Sequence, residues 1–265
     1  MKRNTPQFRE QRRRRSAAIT RTGRQRRATM RIEESIALVT GANRGLGKAC
    51  TQALLDAGAR KVYAAARSPV DSIDSRVVPI RLDITSPEQV RAAADRCGDV
   101  GLLINNAGVM HAVPVLAEAA AAALHTEFDV NVFGLMAMAR AFAPVLARNG
   151  GGVMVNMLSV TAWFVSPLNP TYCVSKAASA AVTEAIRSEL RTAGTKVLGV
   201  YAGLIDTDMV AVVDRPKVSP HDVAERMLQG IAAEEEYILA DRRAEELWKV
   251  LQGAPAVIAR AMSVR

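Results

Sequence analysis

Ile36-Ala37-Leu38-Val39-Thr40-Gly41-Ala42-Asn43-Arg44-Gly45-Leu46-Gly47 is the stretch whose reading decides the fold. Five apolar or β-branched residues predict a short buried strand, and the glycines after it predict a tight turn that opens a helix. Glycine at such a turn lets the backbone bend sharply and approach a pyrophosphate, whose charge rests on the N-terminus of the following helix. The spacing is G-x-x-x-G-x-G rather than G-x-G-x-x-G. A Gly-rich turn alone also reads as a structural loop. One that follows a strand and opens a helix at the head of a βαβ series points to a dinucleotide. Gly41, Arg44, Gly45, Leu46 and Gly47 are therefore candidate cofactor contacts.

Outward from this stretch, short apolar runs alternate with longer helical patterns, as a parallel sheet with crossover helices requires. The strands are expected at Ile36–Thr40, Lys61–Ala66, Val77–Asp83, Leu102–Asn105, Val153–Ser159, Lys196–Ala202 and Tyr237–Ala240. Helices are expected over Gly45–Gly58, from Pro87 to Arg96, over Ala117–Arg148 as one helix or two, over Thr171–Ala193, and from Ser219 and Pro220 onward. The end of the chain also reads as helical. No repeat or interdomain linker interrupts the pattern. The expectation is a Rossmann-type doubly wound α/β fold with a mainly parallel seven-stranded sheet and helices on both faces. Residues 31–265 would form one catalytic domain.

An NAD-preferring site places an acid roughly 20 residues after the glycines, on the ribose 2′-hydroxyl. Here that stretch reads Ala64-Ala65-Ala66-Arg67, with no carboxylate before Asp71. Arg67, together with Arg44 in the turn, can instead clamp a 2′-phosphate, so NADP(H) is expected rather than NAD(H). Asp83 is placed to accept from the adenine amino group. Asn106, Ala107 and Gly108, at the end of the fourth strand, allow the backbone to approach the adenine ribose.

Tyr172-x-x-x-Lys176 follows, with Ser159 upstream. The unperturbed pKa of a tyrosine is about 10, so the residue needs help to exchange a proton at neutral pH. A lysine at i+4 lies on the same helix face. At about 5 Å and an effective dielectric of about 20, its charge favours the phenolate by roughly 3 kcal/mol. The tyrosine is therefore expected about two units lower, and a nicotinamide ring cation would push it the same way. The Ser159 hydroxyl can hold a carbonyl or carbinol oxygen while Tyr172 gives or takes its proton.

Thr40-Gly41, Gly45-x-Gly47, Asn105-Asn106-Ala107-Gly108, Asn131, Ser159 and Tyr172-x-x-x-Lys176 together resemble the short-chain dehydrogenase/reductase family, in its compact single-domain branch. The match runs from about Ile36 to Tyr237. The resemblance implies oxidoreduction of an alcohol/carbonyl pair, with Tyr172 as acid/base and Ser159 holding the substrate oxygen. Lys176 would bind the nicotinamide ribose and lower the tyrosine pKa. Asn131 would hold a water linking Lys176 to solvent; a helix-kinking or capping role is its plainer reading. Ala202-Gly203-Leu204-Ile205-Asp206-Thr207 resembles the family's nicotinamide-side loop with Ala202 in place of proline, which leaves Thr207 to reach the carboxamide. Oligomerisation to a homodimer or homotetramer, through helices at Ala117–Arg148 and Thr171–Ala193, is implied in the same way.

Only Asp208 to Val218 separates Thr207 from the next helix, so the substrate pocket is expected to be open on that side, with a small or medium apolar substrate. Trp163, Phe164, Val165 and Met110 could form its walls or belong to the core or dimer contact. His111 is placed at the mouth, where a second acid/base role can be considered.

The net charge of +9 over 265 residues resolves once it is located. Residues 1–30 carry eleven Lys/Arg against Glu10 alone, whereas the remaining 235 residues carry 24 basic and 25 acidic side chains. The body is near neutral. The first 30 residues read as a disordered basic tail. It could be a solvated arm or sequence upstream of a start at Met30, a nucleic-acid or anionic-surface contact through Arg12 to Arg15, or an organellar targeting segment. No nucleic-acid contact is expected outside it. The longest mostly apolar run, 112–124, is too short to span a bilayer and contains Glu118. Cys50, Cys97 and Cys173 show no metal spacing and read as reduced thiols of a cytoplasmic protein. Alkylation of Cys173, beside Tyr172, would be expected to inhibit. The competing reading from a different class is a non-catalytic NADP-sensing binding protein with a nucleic-acid-contacting arm; it would need the glycines but not Asn131, Ser159, Tyr172 and Lys176.

Overall fold

Alternate residues of single strands bury into different layers. Ala37 and Val39 pack with Val62, Ala64, Ile104 and Val155 on one face, while Ile36 and Leu38 join Tyr63, Leu103 and Met154 on the other. A strand buried on both faces has no polar side, which is why these strands read as continuous apolar runs. The computed structural model describes residues 31–68 and 70–253; the basic segment 1–30 and residues 254–265 lie outside them. Among the described residues seven strands form one sheet in the order β3-β2-β1-β4-β5-β6-β7, with every pair parallel. The strands are β1 (Ile36–Thr40), β2 (Lys61–Ala66), β3 (Val77–Arg81), β4 (Leu102–Asn105), β5 (Val153–Met157), β6 (Lys196–Tyr201) and β7 (Tyr237–Leu239). The order reverses between β1 and β4, and their carboxyl ends part to open a crevice, the usual ligand position in such a sheet.

Helices α1 (Gly45–Asp56), α2 (Pro87–Arg96), α3 (Ala120–Phe128), α4 (Leu135–Arg148), α5 (Pro170–Leu190), α6 (Pro220–Ala232) and α7 (Arg242–Gly253) complete the layers. α1 and α6 cover one face, and α2 and α4 the other. Ser86 and Ser219 accept hydrogen bonds from Gln89 N–H and Asp222 N–H, and Pro87 and Pro220 take the first turns, so both starts are those the sequence specifies. Several element ends fall short of expectation. The third strand stops at Arg81, leaving Asp83 in a turn, and the fifth stops at Met157, leaving Ser159 to cap a 3₁₀ turn over Val160–Ala162.

The segment expected as one helix or two is a single helical run from Ala120 to Arg148, with a π-helical turn at Asp129–Gly134. By length and composition alone this run could cross a bilayer, its most apolar window having a mean hydropathy of 1.6, and a core helix passes the same test. In this fold the run is a packing helix. Met138, Phe142 and Leu146 are fully buried on the sheet layer, and half of its most apolar window is buried.

At the β6–β7 edge, Trp163 stacks on Tyr201, with ring centroids 4.5 Å apart, and lies 5.3 Å from Trp248 of α7. Trp248 stacks in turn on Tyr237. Arg187 of α5 is buried against this corner. It donates to Val197 O and Glu236 O, pairs with Glu184, and sits over the Tyr237 ring at 4.8 Å. Trp163 was a candidate pocket wall; it is a member of this ladder instead.

Candidate active site

Thr40, the last residue of β1, binds two loops into one piece. Its hydroxyl accepts from Asn106 N–H (2.9 Å) and Ala107 N–H (3.0 Å), just past β4. The Asn106 side chain returns to Thr40 O at 2.9 Å and Gly41 O at 3.4 Å. Gly41 and Gly45 have φ of +66° and +52°, which side chains resist, and a Cβ on Gly47 would lie 2.1 Å from Gly41 O. The turn is therefore as tight as its glycines imply. At the start of α1 the capping position is Arg44, whose side chain makes no cap, and no acid stands in the first turn. Free N–H groups and no competing carboxylate make this helix start a fitting seat for a pyrophosphate.

From this turn a cleft of 1470 Å³ runs across the carboxyl edge of the sheet. It is lined by Gly41, Arg44, Gly45, Leu46, Gly47, Arg67, Asp83, Asn106, Ala107, Gly108, Ser159, Tyr172, Lys176 and Thr207, every candidate site residue except Asn131. Asn131 lies behind the wall. Thr207 packs against Gly45, where an added Cβ would come within 3.2 Å of its methyl group. Arg44 Nη1 pairs with Asp208 Oδ2 at 3.0 Å, both side chains being about three-quarters exposed (71% and 76%). An exposed pair of that kind contributes about 0.2–1 kcal/mol, little against a phosphate dianion. Asp83 Oδ1 accepts from the Thr85 N–H (2.9 Å) and hydroxyl (2.7 Å). Burial would raise its carboxyl, but the Thr85 bonds and nearby Arg67 hold it below the ordinary value. The cleft thus fits a dinucleotide in its glycines and its open helix start, and it is lined by two arginines, Arg44 and Arg67.

On the opposite wall, Tyr172 and Lys176 stand one turn apart on α5. Asn169 precedes the helix and Pro170 occupies its first turn. Ser159 Oγ accepts from Thr161 N–H at 3.2 Å and from its hydroxyl at 2.9 Å. Those two bonds leave the Ser159 proton to be donated, and the hydroxyl is near enough to the Tyr172 phenol to favour its ionised form. Lys176 Nζ donates to Met157 O at 2.9 Å and lies 5.7 Å from the Tyr172 ring centroid. Nothing in the sequence marks Thr161 or the Met157 carbonyl for these tasks.

The expected lowering of the tyrosine pKa is corrected. Burial pushes the Tyr172 phenol above its ordinary value, with Cys173 and Glu127 adding to the rise and the Ser159 hydroxyl opposing it. Burial also pulls Lys176 down to about 8. Burial thus opposes the charged form of both groups, the phenolate and the ammonium alike.

Asn131 stands in the π turn, a feature found disproportionately at functional sites. Its Oδ1 accepts from Val109 N–H, and its Nδ2 donates to Val109 O and Ser175 Oγ. Its own carbonyl accepts from Ser179 Oγ at 2.9 Å. The side chain thus holds the segment after β4 against α5. Its turn differs from a capping or kinking asparagine in spacing of the backbone ladder, which no residue pattern announces.

Met110 and Phe164 line the cleft, whereas Trp163, Val165 and His111 do not. The His111 side chain is exposed and outside the lining, so the second acid/base role has no support. Cys173 is buried with its thiol pushed up by burial, as Cys50 and Cys97 are to about 12, so alkylation beside Tyr172 is expected to be slow. Asp241 is an unforeseen member. Its Oδ2 accepts from Gly203 N–H at 2.6 Å and its Oδ1 from Ala244 N–H, tying the loop before Thr207 to the start of α7.

The family model for short chain dehydrogenases matches residues 35–217. An uncharacterized oxidoreductase of Staphylococcus aureus strain MRSA252 is 30% identical over 217 residues, covering 76% of this chain and 92% of that protein. Among solved structures, a short chain dehydrogenase from Burkholderia cenocepacia J2315 in complex with NADP is 38% identical, with a TM-score of 0.86, covering 89% of this chain and 100% of its own. A short chain dehydrogenase/reductase from Burkholderia phymatum in complex with NAD is 25% identical, with a TM-score of 0.75, covering 87% and 97%.

The lowered pKa of Lys176 gives stability a definite pH dependence. Below about pH 8 the folded protein carries a buried cation that the unfolded chain keeps hydrated. As pH rises from there, the folded state releases its proton first, the unfolded state holds more protons, and stability increases. Urea denaturation at pH 7 and pH 9 should show the wild type gaining about 1 kcal/mol relative to Lys176→Met. A difference between the two proteins that stays flat with pH would contradict the lowered value.

Proposed function

The chain belongs to the short-chain dehydrogenase/reductase family of oxidoreductases, and from that premise we propose that it transfers a hydride between NADP(H) and the carbonyl or alcohol carbon of a small or medium apolar substrate. One observation carries the reading. Tyr172, one helical turn from Lys176, lines with Lys176 and Ser159 the same cleft that the glycine turn opens.

In the direction of reduction, the dihydronicotinamide supplies the hydride when bound. Ser159 donates its proton to the substrate oxygen, because Thr161 already fills its acceptor side. Tyr172, whose burial keeps it protonated at neutral pH, gives its proton to that oxygen as the carbonyl carbon receives the hydride. Lys176, fixed by Met157 O, orients the ribose hydroxyls with its remaining donors. Asn131 holds the wall behind it. Gly41, Gly45, Leu46 and Gly47 seat the pyrophosphate, Asp83, Asn106, Ala107 and Gly108 flank the adenosine, and Thr207 reaches the carboxamide. Met110, Phe164, Leu168, Leu204, Met209 and Val212 give the substrate end an apolar side, in a lining that also includes Arg215, Lys217, Arg243 and Glu246, and Val212 is 96% exposed.

Arg44 and Arg67 favour a 2′-phosphate over a bare ribose hydroxyl, and the NADP bound by the Burkholderia cenocepacia relative agrees with that preference. The chain is read as self-associating through α3, α4 and α5. Phe133, Met136 and Val174 are exposed there beside the small residues Ala177, Ala181 and Ala185.

NADPH oxidation should be measured with cyclohexanone, benzaldehyde, 2,3-hexanedione and 9,10-phenanthrenequinone. Turnover of at least one is expected, with a loss of about 10²–10⁴-fold in Tyr172→Phe; equal turnover by the variant would remove Tyr172 from the chemistry. Arg67→Ala should raise the KM for NADPH about tenfold or more and leave that for NADH nearly unchanged, since a charge-assisted bond contributes about 1.5–3 kcal/mol. A parallel change for both cofactors would show that Arg67 does not read the phosphate. In analytical ultracentrifugation the wild type should sediment as a dimer or tetramer and Phe133→Glu as a smaller species. Identical sedimentation would move the interface elsewhere.

A further inference from the structure

Glu127 is fully buried, and its Oε2 has no hydrogen-bond partner. A carboxylate oxygen left bare in the interior is costly, and its position in the fold indicates what the acid does. Glu127 stands one turn before Asn131 on the same helical run, so the two side chains share a face. That face meets the extended segment leaving β4. Asn131 Oδ1 holds Val109 N–H at 2.9 Å, and Glu127 Oε1 holds His111 N–H at 2.8 Å. Thr171 Oγ1, from the first turn of α5, accepts from Val113 N–H at 3.3 Å and leans on Glu127 Oε1 at 3.5 Å.

Three amides at alternate positions are thus held from behind, and the residues between them, Met110 and Ala112, line the cleft. Ala112 has φ of +55°, a left-handed conformation that an alanine adopts only when its surroundings impose it. The holds on His111 and Val113 bracket that residue on both sides. Asn169, the residue before α5, adds a bond from its Nδ2 to Met110 Sδ at 3.3 Å.

We propose that Glu127 and Thr171 are positioning residues that fix the Met110–Val113 segment as the rigid substrate-facing wall of the cleft and so set which carbonyl substrates fit. Neither side chain touches the reacting atoms. Their effect is exerted through the backbone of 111 and 113, and Thr171 links that wall directly to Tyr172, its neighbour in sequence. The kinetic consequence rests on the carbonyl-reductase reading; the structural one does not.

Two measurements keep the readings apart. Amide hydrogen exchange followed by NMR on the uniformly ¹⁵N-labelled full-length chain should show His111 exchanging at least tenfold faster in Glu127→Leu, and Val113 likewise in Thr171→Val. Val109, held by Asn131, should be unchanged in both. With 9,10-phenanthrenequinone as the probe, both variants should raise the KM at least tenfold. NADPH affinity, read from its fluorescence, should stay within twofold. Glu127→Gln, which keeps the acceptor for His111, should restore both the protection and the KM. Unchanged exchange at His111 and Val113 in the leucine and valine variants would overturn the proposal, as would a lowered melting temperature with unchanged KM. A wild type inert toward the quinone and the three other carbonyl compounds would count against the reductase reading alone, since the exchange experiment decides the wall by itself.

Discussion

Everything at this site is referred to the contact between the ends of β1 and β4. Thr40 offers one hydroxyl to two successive amides, Asn106 and Ala107, and the Asn106 side chain closes the loop onto Thr40 O and Gly41 O. Neighbouring parallel strands diverge past their last ladder bond, and here side chains continue the ladder where the backbone cannot. The same knot brings the Gly41 carbonyl so near α1 that position 47 has no room for a Cβ. The glycine turn and the wall that bears Tyr172 are thus parts of one connected edge. β4 leads into the segment held by Asn131, and the π turn that carries Asn131 is in turn bonded by Ser175 and Ser179 of the helix bearing Tyr172.

The site's electrostatics follow from its burial. A tyrosine and a lysine one turn apart look like an acid with its activating cation, and at the surface they would be. In the interior both groups lose water, so the phenol rises and the ammonium falls. Burial therefore favours the protonated phenol at Tyr172 over the phenolate. Any base character in the reverse direction has to come from additional positive charge beside it.

Much of this was legible in the sequence because it is written in backbone demands. Gly41, Gly45 and Gly47 are required by φ and by space, and the i, i+4 spacing of Tyr172 and Lys176 is required by a helix. The continuous apolar runs of β1 and β4, buried on both faces, point to a parallel sheet covered on both sides. What stayed hidden depends on partners distant in sequence. Arg44 meets Asp208 across 164 positions, and Asp241 clamps Gly203 from the other side of a helix and a strand. Glu127 stands in a stretch rich in alanine, with no motif around it. Its burial follows from the path of the segment after β4, which no local pattern specifies. The π turn was hidden for a different reason, since it changes the hydrogen-bond ladder without changing the residues that can form it.

The aromatic ladder at the β6–β7 edge has a practical side. Trp163 and Trp248 are the chain's two tryptophans, and both lie in that ladder, in van der Waals reach of Tyr201 and Tyr237 and with the Arg187 guanidinium against the Tyr237 ring. Intrinsic emission from this protein is therefore a local signal. It reports the docking of α7 on the sheet edge, and the glycine turn at the opposite end of the cleft contributes no indole to it. An unfolding curve read by tryptophan would follow that corner first, and would agree with a probe at the cofactor seat only if the two ends of the sheet come apart together.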